Sequence, residues 1–97
     1  VFYPLFGQIK EHLLANQGVE AVLKPRITTF HFSKKGICHL RTMPKGVDIG
    51  FFKGALFEDQ YGRLTGDGKS VRVLTLASFD LELIDYYLEQ ALELVQG

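Results

Sequence analysis

Residues Ile27–Phe52 read ITTFHFSKKGICHLRTMPKGVDIGFF, and this run decides the fold. Three stretches, Ile27–Ser33, Ile37–Thr42 and Val47–Lys53, are rich in β-branched, aromatic or other apolar residues and read as strands. Ser33-Lys34-Lys35-Gly36 is the first turn and Met43-Pro44-Lys45-Gly46 the second, where the fixed φ of Pro44 suits the position after the first turn residue. The run predicts a three-stranded antiparallel meander.

Working outward, Phe2–Gln17 predicts a helix. Phe2, Leu5, Phe6, Ile9 and Leu13 recur at helical spacing, Pro4 sits in the first turn, and Gly18 fits the stop. Val19–Lys24 is ambiguous and reads as one short helix ended by Pro25. Beyond the meander, Gly54–Lys69 has no sustained period and reads as a long loop, of the kind that is functional or mobile. Ser70–Ala77 is a fourth strand. Asp80–Gln96 is the clearest helix, with Leu81, Ile84, Leu88, Ala91, Leu92 and Val95 on one face and Asp80 or Ser78 as cap. The order predicts an α+β fold: a mainly antiparallel sheet of about four strands, with the N- and C-terminal helices packed on one face.

The chain has 97 residues, room for one core, so residues 1–97 are read as a single domain. Eleven basic and eleven acidic residues leave a formal charge of zero, which argues against nucleic acid or an anionic membrane as the main partner. No apolar run approaches a membrane span. The single cysteine, Cys38, excludes a disulfide framework and suits a reducing compartment. The numbering opens on Val1 rather than Met, as expected of a trimmed chain.

Turn length gives a register. With the first tip at Lys34-Lys35, Phe32 faces Ile37, His31 faces Cys38 and Phe30 faces His39. With the second at Pro44-Lys45, Thr42 faces Val47, Arg41 faces Asp48 and Leu40 faces Ile49. Alternation then puts Ile27, Thr29, His31, Cys38, Leu40, Val47, Ile49 and Phe51 on the core face. Phe30, Phe32, Ile37, His39, Arg41, Asp48, Gly50 and Phe52 fall on a mixed face, with a gap at Gly50. Such a face is expected to be a pocket floor or the surface of a homodimer.

Gly46-Val47-Asp48-Ile49-Gly50-Phe51-Phe52-Lys53-Gly54-Ala55-Leu56, then Leu64-Thr65-Gly66-Asp67-Gly68-Lys69-Ser70-Val71-Arg72 and Ser78-Phe79-Asp80, resemble the signature of the YdhG-like family, a bacterial domain of unknown function. The resemblance covers roughly Ile27 to Leu94. Lys24-Pro25-Arg26 stands where the family pattern has an aromatic-Gly step. The resemblance implies a small α+β cytoplasmic domain with no established catalytic residues. Some members are described as frataxin-like iron chaperones, which supplies an alternative function.

Gly68-Lys69-Ser70 has the look of a phosphate-loop ending, but Arg63 stands where that motif needs glycine, and a strand follows where it needs a helix. Lys53, Lys69 and Arg72 flank a glycine-rich loop that reads first as a solvated turn with basic edges and second as a weak anion site. His31 and Cys38 share a face without His39, so no zinc set converges. Cys38 reads as an inert core thiol. Glu82, Asp85, Glu89 and Glu93 form one stripe of the last helix, a solvated face or, under the chaperone alternative, a shallow iron site. No motif calls for a cofactor or places a catalytic set. The expected function is a non-enzymatic module binding a small anionic ligand or a protein through Phe30, Phe32, His39, Arg41, Asp48, Gly50, Phe52, Lys53, Lys69 and Arg72.

Overall fold

Ser33 and Lys34 take left-handed backbone angles, φ 49° and 67°, and close a two-residue hairpin turn in the computed structural model, which describes residues 3–96. Such a turn matches the right-handed twist of paired strands. It joins β2 (Thr28–Phe32) to β3 (Lys35–Met43) through Phe32↔Lys35 and His31↔Gly36. The tip lies one residue earlier than the spacing predicts. Ile37 is then the extra residue of a β-bulge, beyond which Phe30↔Cys38, Thr29↔His39 and Thr28↔Leu40 pair. The bulge buries Ile37 and Cys38 together, at 2% and 0% exposure.

This corrects the expected register of the first hairpin. Phe30 and Phe32 lie on the helix-covered face with Cys38 and Leu40, and Thr29 and His31 lie on the other. Ile37 joins the core. The second hairpin follows the expectation: β4 (Gly46–Phe51) pairs Thr42↔Val47, Arg41↔Asp48 and Leu40↔Ile49.

Val19–Lys24 does not form the expected short helix. Val19–Leu23 is β1, paired along its length with β2 from Val19↔Phe32 to Leu23↔Thr28. The Lys24 N–H donates to the Ile27 carbonyl at 2.9 Å, leaving Pro25 and Arg26 as the tip. A segment without a period of its own is settled by the open edge of β2. On the other side β6 (Arg72–Leu76) pairs with β4, and β5 (Leu64–Thr65) pairs with β6. The sheet therefore has six strands, in the order β1-β2-β3-β4-β6-β5, every pair antiparallel.

Helices α1 (Tyr3–Leu14) and α2 (Leu81–Gln96) pack on one face of this sheet. Leu5, Ile9 and Leu13 of α1 are buried as expected, and Phe2 lies outside the described residues. On α2, Ile84, Leu88, Ala91 and Val95 are buried, but Leu81 is 47% exposed and Tyr87 is fully buried instead. Asp80 is the cap, its Oδ1 accepting from the Leu83 N–H at 3.1 Å. The cap is worth about 1 kcal/mol, whereas each buried leucine-sized side chain contributes roughly 1.5–3 kcal/mol. The apolar stripe therefore holds α2 in place and the cap sets where it begins. No helix among the described residues is long and apolar enough to cross a membrane.

Candidate functional site

The helices leave the second sheet face uncovered. Across it run Thr29, His39, Gly50 and Val73 in register, with Arg41, Asp48 and Thr75 in the next outward-facing row. The gap expected at Gly50 is filled: a Cβ there would stand 2.1 Å from the His39 ring. Phe52 lies over Gly36 in the same way, at 2.7 Å from a built Cβ. The two rings meet at 5.9 Å between centroids. Both glycines are seats for aromatic rings, which shield the strand backbone beneath them. Burial lowers the His39 pKa, Arg41 lowers it further, and Asp48 partly opposes both. The imidazole is therefore mainly neutral at pH 7, a donor-acceptor surface rather than a cation.

Of the residues singled out in the sequence, His39, Arg41, Asp48, Gly50 and Phe52 share this face. Phe30 is fully buried in the core and Phe32 packs against it, so neither lines the open face. Of the three phenylalanines expected there, Phe52 alone lies on the open face. His31 stands on the open face, its Nε2 3.0 Å from the Thr29 hydroxyl, rather than beside Cys38. Asp48 is register-paired with Arg41, but its Oδ1 accepts from the Thr75 hydroxyl at 2.7 Å.

Lys53, Lys69 and Arg72 belong to the other end of the sheet. Arg72 pairs with Phe51, three residues along β4 from Asp48, or roughly 10 Å at strand rise. Its Nη1 donates to the Gly68 and Val71 carbonyls at 2.6 and 2.8 Å, so part of the guanidinium closes the loop itself. Lys53 and Lys69 are exposed. β6 follows Gly68-Lys69-Ser70, as the sequence predicts.

The long connection is tied to α2. The Glu58 N–H donates to Gln90 Oε1 at 2.7 Å and the Gln60 N–H to the Tyr86 hydroxyl at 3.0 Å. Asp59 accepts from the Arg63 and Leu64 N–H groups at 3.1 and 3.3 Å and from the Tyr87 hydroxyl. Burial pushes the Asp59 carboxyl up, but the Tyr87 hydroxyl and the backbone donors outweigh it and hold it below its ordinary value. Burial and the same hydrogen bond push the Tyr87 hydroxyl up to about 12.

Glu82, Glu89 and Glu93 are exposed, while Asp85 Oδ1 lies 2.6 Å from His12 Nε2 and joins the two helices. Among the described residues no three His, Cys, Asp or Glu side chains converge on a metal position. Cys38 is buried, and burial pushes its thiol up, away from the reactive thiolate.

A further feature lies where the sheet ends. β3 carries Arg41, Thr42 and Met43 beyond Leu40, its last residue paired with β2. The β1–β2 tip and α1 border the space this leaves, a groove of about 590 Å³. Lys24, Arg26 and Arg41 bring three cations to it, and among the described residues no carboxylate lines it. Phe6, Pro25, Ile27 and Met43 supply apolar surface, and Thr28 and Thr42 complete the lining. Only Arg41 of this set was singled out from the sequence. The signal for the rest was Lys24-Pro25-Arg26, two cations at a proline turn, but their convergence with Arg41 needs β1 to be a strand.

No family model, curated protein or solved structure matches the chain.

Proposed function

We propose that the chain is a non-enzymatic binding module, a YdhG-like domain of the cytoplasm, whose ligand carries negative charge and seats at the sheet end around Arg41. The observation that carries the reading is that Lys24, Arg26 and Arg41 all line one groove, where no carboxylate stands among the described residues. Three cations bordering one groove, on a chain of zero formal charge, favour an anion there. The groove lies in the size range of small-ligand sites, roughly 300–1,000 Å³. Neutral His39 and the ring of Phe52 extend a polar and aromatic surface away from Arg41 along the open face.

The test is chemical-shift mapping of backbone amides during titration with acetate, inorganic phosphate and octanoate at constant ionic strength. The proposal expects saturable changes from at least one anion, centred on Lys24–Thr28 and Arg41–Met43. Changes spread evenly over the exposed lysines Lys34, Lys45, Lys53 and Lys69 would overturn it, because that is the pattern of non-specific screening.

A further inference from the structure

Two short stretches meet at the groove, and each sets a cation beside an apolar residue. Arg26-Ile27 comes from the β1–β2 turn and Arg41-Thr42-Met43 from the overhanging end of β3. The Lys24–Ile27 hydrogen bond fixes the first of these. Phe6 of α1 adds to the apolar side, and Phe6, Ile27 and Met43 are all half-buried. An inorganic anion would satisfy the cations but cover none of this apolar wall, forgoing a gain proportional to its area. Resting on the binding reading above, we infer that the ligand is a small amphipathic carboxylate. Its head lies between Arg26 and Arg41, where a planar guanidinium matches a carboxylate fork. Its apolar body lies along Phe6, Ile27 and Met43, and the unbranched thioether of Met43 adapts to its shape.

Met43 is the single methionine of the chain, so a ¹³C-methyl label reports from inside the groove with one signal. The full chain is titrated with acetate and with octanoate, which share a head and differ in the body, and with inorganic phosphate. Octanoate should shift the Met43 methyl signal saturably and bind at least tenfold tighter than acetate. Arg26→Ala should weaken both carboxylates, and Ile27→Ala should weaken octanoate while leaving acetate unchanged. Equal affinity for acetate and octanoate, or tighter binding of phosphate than of octanoate, would overturn the amphipathic ligand and leave the anion reading in place. No saturable response to any of the three would overturn both.

Discussion

His39 lies on Gly50 across the β3–β4 pair, its ring standing where a side chain at residue 50 would begin, 2.1 Å from a built Cβ. The imidazole position and the absence of a side chain opposite are thus one feature. Gly50→Ala should force the ring off the face and destabilise the fold by about 1–3 kcal/mol, the usual range for overpacking. Removing the ring as well, in His39→Ala/Gly50→Ala, should recover part of that loss. Urea unfolding of the two single variants and the double variant measures the coupling, and additive effects would show that the ring and the glycine are independent.

The same ring gives a pH dependence. The folded-state pKa of His39 is depressed by burial and by Arg41, so the unfolded chain binds the proton more readily. Stability is therefore present above the ordinary imidazole value and falls as pH drops through it toward the lower folded value. Wild type should lose thermal stability from about pH 7 to pH 5, and His39→Gln should lose less. Identical slopes in the two proteins would place the effect elsewhere.

The first hairpin shows what was legible in the sequence and what was not. Strand identity follows from composition, and the second register follows from Pro44, whose ring fixes the tip. The first register rests on Ser33 and Lys34 adopting positive φ and on a bulge at Ile37. Neither leaves a mark in residue type, since both residues are ordinary in other conformations. One misplaced tip then exchanged the faces of Phe30 and His31. Strand β1 was hidden for another reason: its five residues have no period, and pairing with the edge of the next strand, β2, decides their conformation. The helices, by contrast, were legible because their apolar spacing is a local property. Of the candidate site, Arg41 was readable from its register, but its company with Lys24 and Arg26 was not.

Tyr87 and Asp59 fasten the long connection to α2. Tyr87→Phe keeps the buried ring and removes the hydroxyl, so the loss should be close to that of one hydrogen bond to a charged group, about 1.5–3 kcal/mol. Amide exchange at Arg63 and Leu64, whose N–H groups bond the same carboxylate, should accelerate more than exchange in β2 and β3. A uniform acceleration would mean that the contact acts on the whole fold rather than on this segment.

Asp80→Ala should remove the cap of α2 and cost about 0.5–2 kcal/mol, measured by thermal unfolding. Ser78→Ala, the other cap candidate, should be near neutral, because the Leu83 N–H bonds Asp80. The reverse ranking would relocate the helix start.

The proposed anion site rests on Arg41 and its neighbouring cations. The most direct measurement is the affinity of octanoate and of inorganic phosphate, in parallel, for wild type, Arg41→Ala and Lys34→Ala. Lys34 lies in the turn joining β2 to β3 and is absent from the groove lining. Both substitutions remove one positive charge, so non-specific attraction falls equally in each. The tighter-binding anion should lose at least fivefold in affinity with Arg41→Ala and keep its affinity with Lys34→Ala. Equal losses in the two variants, or no loss with Arg41→Ala, would contradict the proposed site.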